Sequence, residues 1–516
     1  MNRRISRRTL LKAGAGTVAA AAAATGGVVG WMYTTADTNT AGEVDFTKRL
    51  AIPPLDTGRL DSSGRRVFDL RAAKGEHRLR PGRATETWGL NAPYLGPTLR
   101  AARGDTVMVN LRNDLPETTS LHWHGMHLPA RMDGGPHQPV EPGRTWSPTW
   151  TIDQPAATLW YHPHPHGHTA RHVYRGMAGM FILDEADTGK GPDVARGALP
   201  SRYGVDDIPV IVQDKRLDGD NQLDASTPRM SGVGILGDLI CVNGTTAPYH
   251  RVTTERIRLR LLNASDARFY RFGFADDRPF ALVGTDGGLL PAPHKTRRIQ
   301  LSPAERAEIV VTLRPGERAV LRSFPPELDL NFWDRRFNGG DDTLDILQLQ
   351  AASRLAPSPK LPKRLAEAPA LAAKSRKVDR TFELSGFSIN GKTMNMRRID
   401  FTAPRDTTEV WEVTTNDAVQ HNFHVHDVQF QVLSVGGKQP PPELGGWKDT
   451  VHTPPGVPIR VALRFRDHSD PRFPYMYHCH VLYHEDQGLM GQFVVVAPGQ
   501  KPGRIGGGPS HNHGHS

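Results

Sequence analysis

Apolar positions along most of the chain come in short alternating runs and not in the three-and-four spacing of amphipathic helices. Thr106-Val107-Met108-Val109-Asn110-Leu111 alternates strictly, and Gly179-Met180-Phe181-Ile182-Leu183 is a short apolar run of strand length. Asn113-Asp114 and Asp133-Gly134-Gly135-Pro136 supply turn chemistry between such runs. A second group of strands is expected from Ile208-Pro209-Val210-Ile211-Val212 through Arg256–Asn263 to Ile309-Val310-Val311-Thr312-Leu313. A third includes Glu409-Val410-Trp411-Glu412-Val413 and Phe493-Val494-Val495-Val496. The pattern predicts an all-β chain of three consecutive sandwiches over about 65–190, 200–350 and 381–500, with helix confined to short pieces. Residues 351–380, rich in Ala, Pro, Lys and Arg, read as a surface linker.

Both ends depart from this pattern. Residues 1–36 begin MNRRISRRTLLK and continue into an Ala/Gly/Val stretch from Ala13 to Gly30, which reads as a signal peptide with a twin-arginine address. Export to the periplasm, the cell envelope or the medium is therefore expected. Past that leader no apolar run approaches the roughly 20 residues of a membrane span. The Gly/His-rich end, 501–516, carries no hydrophobic pattern and is expected to be disordered.

Composition adds exclusions. The 516 residues are 38% hydrophobic, with 51 Gly and 42 Pro, which suits several β cores joined by many turns. The formal charge is +10, but Arg3, Arg4, Arg7, Arg8 and Lys12 of the leader account for half of it. The remainder is spread without a basic block interleaved with aromatics, so a nucleic-acid partner is not expected. With only Cys241 and Cys479, no disulfide framework supports an exported protein of this size. Cys241, in the apolar setting Leu239-Ile240-Cys241-Val242, reads as a core residue, whereas Cys479 lies between His478 and His480.

Of the 23 histidines, 11 are concentrated in four short patterns. They form His122-Trp123-His124, His162-Pro163-His164-Pro165-His166, His421-Asn422-Phe423-His424-Val425-His426, and His478-Cys479-His480 followed by His484. Residues two apart on a strand point to one side, about 6.6 Å apart, so each His-x-His pair can offer two imidazoles to one cluster. In extended backbone Cys479 faces away from His478 and His480. It could serve a separate mononuclear site with His421 and His484 while its neighbours serve the cluster. Imidazole together with thiolate suits copper, and zinc gives no reason for so many further paired imidazoles. Spacing alone does not choose among His162, His164, His166 and His168.

Through HWHG at 122–125, LWYHPHPHG at 159–167, HNFHVH at 421–426 and HCHVLYHEDQGLM at 478–490, the chain resembles the multicopper oxidases over about 65–498. The resemblance is to the three-domain bacterial laccase-like group that includes copper-efflux and spore-coat oxidases. It implies three cupredoxin-like Greek-key domains and four copper ions per chain, one type 1, one type 2 and two type 3. The implied activity is one-electron oxidation of substrate coupled to four-electron reduction of dioxygen to water. By motif position, His421, Cys479 and His484 resemble the type 1 ligands, and His122 and His424 the type 2 pair. His124, His162 and His480 resemble the ligands of one type 3 copper, and His164, His426 and His478 those of the other.

Other residues follow from the same comparison. Where copper-efflux members carry an axial methionine, this chain has Leu489, with Met490 one place later. Leucine cannot ligate, so a trigonal type 1 site of raised potential is expected. Asp133 resembles the family's acid near the trinuclear cluster and Glu485 the acid that helps pass protons to reduced oxygen; since oxygen reduction consumes four protons, both are expected to deliver them, and Asp449 is expected to orient a histidine or the loop near the substrate mouth. Copper-efflux members carry a methionine-rich insert, whereas 351–380 here has no methionine and 427–477 only Met476. The expected activity is accordingly a laccase-like oxidation of phenols or aromatic amines (EC 1.10.3.2), with cuprous oxidation in copper tolerance or bilirubin oxidation as alternatives. A copper-binding protein without turnover is the remaining class. Expected partners are dioxygen and small aromatic reductants, or Cu(I) in the alternative. Because the chain carries both histidine halves itself, a monomer is expected.

Overall fold

The structure, a computed structural model, describes residues 32–184, 199–226, 232–367, 371 and 377–505. The leader up to residue 31 and the tail from 506 lie outside these residues, so the readings made of them have no structural counterpart.

The all-β expectation holds: among the described residues six sheets pair into three sandwiches, with helix limited to pieces such as Thr169–Tyr174, Phe332–Phe337 and Leu482–Asp486. Among the described residues no helix is long and apolar enough to cross a membrane.

In the first sandwich Arg66–His77 runs parallel to Thr106–Asn113, whose Val107, Val109 and Leu111 point inward as the alternation requires. The facing sheet runs Thr98–Ala102, Gly179–Asp184, Ala157–His162, His122–His124. The last pairing sets His162 opposite His122 and Trp160 opposite His124. His122, His124 and His162 thus share one end of this sheet, with His164 just beyond the strand.

The middle sandwich centres on Asp207–Lys215, Arg256–Asn263 and Arg306–Thr312. Arg256–Asn263 is buried along nearly its whole length. Arg258 and Arg260 do not face solvent, and Arg260 reaches Thr158 of the first sandwich. Arg260 pairs with Asp207 at 2.7 Å and with Thr158 Oγ1 at 2.7 Å, and Arg258 meets Glu308. The lead-in straps two sandwiches: Lys48–Arg49 joins the middle sheet beside Pro248, and Leu55–Asp56 joins the first beside Thr98. Leu344–Ala356 continues as strand into the stretch read as a linker. Beyond it Leu361, Leu365 and Ala366 pack on Val283, Leu289 and Val310 of the middle sandwich.

The third sandwich holds Thr407–Thr415, Ile459–Phe465 and Phe430–Val435 in one sheet. Thr450–Thr453, His421–Val425, Tyr475–His478 and Met490–Val496 are neighbours in the other. Registers put His424 opposite both Thr450 and His478. The histidine strands of the first and third sandwiches meet face to face, and Arg306 of the middle one reaches their junction.

Candidate metal centre

Cys479 follows the strand Tyr475–His478, His421 opens the strand His421–Val425, and His484 sits on the short helix Leu482–Asp486. The three converge: His421 Nδ1 lies 3.0 Å from His484 Nδ1, and Cys479 Sγ lies 3.7 Å from the latter. All three are essentially inaccessible. Each ring is turned by a contact on its far nitrogen, His421 Nε2 by Asp417 at 3.1 Å and His484 Nε2 by the Gly232 carbonyl at 2.9 Å. Both Nδ1 atoms therefore face the sulfur. Burial drives His484 toward its neutral form, with a pKa of about 3. Burial also disfavours a charge on His421, but Asp417 and Cys479 outweigh it and lift the pKa to about 9.

Leu489 is fully buried beside this trio. Its N–H donates to the His484 carbonyl (3.0 Å) and its carbonyl accepts from Cys479 N (3.1 Å). Met490 pairs directly across from His478, so it shares the face of His478 and not that of Cys479.

The other eight histidines form one buried cluster of overlapping trios: His122 with His424 and His426, His122 with His124 and His162, and His164 with His426 and His478. His480 joins through His162, Nε2 to Nε2, at 3.3 Å. Of the four histidines at 162–168, His162 and His164 lie in the cluster, while His166 and His168 are exposed.

Outward acceptors set the tautomers. His122 Nδ1 meets the Asp133 carbonyl at 2.9 Å, His162 Nδ1 the Pro163 carbonyl at 2.8 Å, and His424 Nδ1 the Asp449 carbonyl at 2.8 Å. His426 Nδ1 meets Asp133 Oδ2 at 2.7 Å, and His478 Nδ1 the Cys479 carbonyl at 3.0 Å. His164 Nδ1 lies 3.3 Å from Glu485 Oε1.

With protons on those Nδ1 atoms, the Nε2 lone pairs point inward at each other. His478 Nε2 is 3.2 Å from that of His426 and 3.3 Å from that of His164. Neutral rings cannot hydrogen-bond in this arrangement, since neither nitrogen carries a proton to give. Burial lowers the pKa of His124, His162, His164, His424, His426 and His480, with neighbouring rings adding to the effect, which favours the neutral form of these six rings. Converging ring nitrogens in a buried pocket suit cations between them. The donor set, imidazole with one thiolate nearby, fits copper.

Asp133 and Glu485, read from sequence as proton-passing acids, both touch cluster histidines. Asp133 holds His426 and, through its carbonyl, His122, leaving Oδ1 buried without a hydrogen bond. Glu485 lies between His164 and His478, 3.3 and 3.2 Å from their Nδ1 atoms. Of the two roles expected for Asp449, histidine orientation is the one its contacts serve, since Oδ1 meets His124 Nε2 at 2.9 Å. Gly134 makes the Asp133 turn possible: its φ is +76°, and a Cβ there would lie 1.7 Å from the Leu121 carbonyl oxygen.

Three contributors went unread in the sequence. Asn422 accepts from His480 N (2.6 Å) and from Cys479 Sγ (3.5 Å), tying the two sites together. Its signal was its position on the same period-two face as His424 and His426. Asp417 and Arg306 gave no local signal; the contact of Arg306 with Asp449 spans 143 residues.

Comparisons with known proteins agree with this geometry. The family described as "Multicopper oxidase" matches the chain twice, over residues 72–188 and 364–499. "Multicopper oxidase mco" of Staphylococcus haemolyticus is 34% identical over 453 residues, 87% of this chain and 92% of that protein. "Cell division protein FtsP" of Xenorhabdus nematophila is 36% identical over 455 residues, 87% of this chain and 93% of that one. Among solved structures, a laccase from Pediococcus acidilactici superposes with a TM-score of 0.77 at 35% identity, covering 88% of this chain and 94% of that one. Cupredoxin-like sandwiches, His/Cys clusters and full-length relatives together place the chain in the bacterial multicopper oxidase family, whose oxidases are copper-dependent oxidoreductases.

Proposed function

We propose that this protein is a laccase-like oxidase that takes single electrons from phenols or aromatic amines and passes them to dioxygen, producing water. His421, Cys479 and His484 would hold the type 1 copper, with Leu489, a side chain that cannot ligate, buried beside them. His122 and His424 would hold the type 2 copper. His124, His162 and His480 would hold one type 3 copper, and His164, His426 and His478 the other. About four coppers per chain supply the reversible one-electron chemistry that side chains lack.

The observation that carries this reading is the inward convergence of the His164, His426 and His478 ring nitrogens, a buried donor set that suits metal cations. The protein supplies the rest. Cys479 is covalently flanked by His478 and His480, which makes a short path for electrons between the two sites. Asp417, with its side chain 21% exposed and bound to His421 Nε2, is the partly open contact through which a phenol can approach, and it can take up the phenolic proton. Asp133 and Glu485, already on cluster histidines, are placed to deliver protons to reduced oxygen. Export by the twin-arginine route, assigned to residues 1–36, would let a folded, metal-loaded protein reach the periplasm, cell envelope or medium. The three units are read as 65–190, 200–350 and 381–500, acting as a monomer.

One observation favours a second reading, oxidation of Cu(I). Met394, outside the segments poor in methionine, donates its N–H to the Gly488 carbonyl at 2.9 Å, on the loop between His484 and Leu489. A thioether there could receive a soft cation. Relatives named for cell division raise a role in that process, but the full set of histidines and Cys479 argues for copper chemistry.

Steady-state oxygen uptake with Cu(I), a dimethoxyphenol and bilirubin tests all of these. A phenol kcat/KM well above the others supports the main reading. Dominant Cu(I) efficiency, lost in Met394→Leu, would replace it, and absence of turnover with every reductant would reject both.

A further inference from the structure

His124 differs from the histidines whose outward contact is made by Nδ1. Its Nε2 takes that contact, 2.9 Å from Asp449 Oδ1 and 3.2 Å from Thr450 Oγ1, and its Nδ1 is buried with no partner. The opposite ring edge therefore faces the cluster. A carboxylate on a short side chain can rotate, so something must hold Asp449 Oδ1 where His124 needs it.

That something comes from the middle sandwich. Arg306 Nη1 donates to Asp449 Oδ1 at 2.7 Å and Nη2 to Oδ2 at 2.6 Å, with both side chains wholly buried. The guanidinium itself is fixed by the carbonyls of Thr158 (3.0 Å), Ala304 (3.1 Å) and Asp286 (3.0 Å). It can neither swing away nor leave an oxygen of Asp449 free. The glycine of the His-Trp-His-Gly motif leaves room for this pair: a Cβ on Gly125 would stand 2.5 Å from Asp449 Oδ2 and 2.8 Å from Arg306 Nη2.

We infer that Arg306, from the sandwich that contributes none of the clustered histidines, is a positioning residue for the trinuclear site. Its paired contact with Asp449 fixes which ring nitrogen of His124 faces the cluster, and through the Asp449 carbonyl it also steadies His424. The inference rests on reading the eight-histidine cluster as a copper site.

Arg306→Lys tests it, because an ammonium keeps the charge but cannot hold both oxygens in one plane. Arg260→Lys is the control, since Arg260 makes an equally buried two-point contact with Asp207 in the same sandwich without reaching a clustered histidine. Copper per chain, the type 2 EPR signal, the type 1 absorption and resistance to a chelator are measured in wild type and both variants. Arg306→Lys should keep the type 1 absorption, lose trinuclear copper to chelator about 10–100-fold more readily and show an altered type 2 signal. Arg260→Lys should lower the melting temperature yet keep all copper. Folded Arg306→Lys with a wild-type type 2 signal and chelator resistance would overturn the inference. If that variant does not fold, Asp449→Asn, which cannot accept from both Nη groups, carries the same pair of outcomes. Wild type that binds only the type 1 copper would instead reject the cluster reading, before any variant is compared.

Discussion

The middle and third sandwiches share an architecture and bury comparable apolar cores, Leu259, Leu261, Phe272 and Ile309 in one, Trp411, Phe423, Val461 and Phe493 in the other. They differ in the polar groups they bury. The middle one buries charges already paired within the protein: Arg258 with Glu308, Arg260 with Asp207, and Arg268 with Asp214 and Asp342. The third buries the imidazoles of His424 and His480, each with a ring nitrogen that has no hydrogen-bond partner, and sets the Cys479 sulfur beside His421 and His484. Paired charges satisfy one another and make a rigid wall. Unpaired donors make a site that needs a guest. Within one fold, chemistry follows from which buried polar groups are left incomplete.

Substitutions can break or sharpen that contrast, and their effects on turnover should fall in a definite order. Cys479→Ser removes the one soft thiolate, so the blue absorption should vanish and substrate oxidation fall to background while the cluster metals stay. A persisting blue band would show that another residue supplies the sulfur. Asp133→Asn keeps an acceptor for His426 but removes the titratable carboxylate. Oxygen reduction should slow by about 10–100-fold with reduction of the type 1 copper by substrate unchanged. Normal turnover across pH would reduce Asp133 to an orienting role.

A milder effect is expected from Leu489→Met. A thioether approaching the type 1 copper stabilises its oxidised form, so the reduction potential should fall and only hard-to-oxidise phenols should slow. An unchanged or higher potential in fully loaded protein would remove Leu489 from the axial position. Leu261→Ala, in the middle core, should leave turnover per folded molecule and copper content intact while costing about 2–5 kcal/mol of stability, read by denaturant titration. Copper loss in that variant at temperatures where it remains folded would mean that the two sandwiches are not as separable as the contrast requires.

What the sequence makes legible follows from the range of each signal. His122 and His124, or His478 and His480, announce a shared face because strand periodicity is local, and Cys479 between two histidines is equally plain. The tautomer of each ring is not legible, because it depends on acceptors such as the Asp133 and Asp449 carbonyls that the fold brings in. The Arg306–Asp449 pair and the strap of Lys48–Arg49 on Pro248 join distant segments, and no local pattern reports them. Met394 gives no local signal either, because only a backbone contact with Gly488 brings it to the His484 loop.

The central claim is that the incomplete donors of the third sandwich, together with their partners on the first, are completed by copper. Metal analysis of the purified, copper-loaded protein combined with EPR tests it most directly. The account predicts about four coppers per chain, one with the blue type 1 signature, one type 2 and an EPR-silent pair. One or two coppers in fully active protein, or zinc retained in the cluster with turnover undiminished, would contradict it.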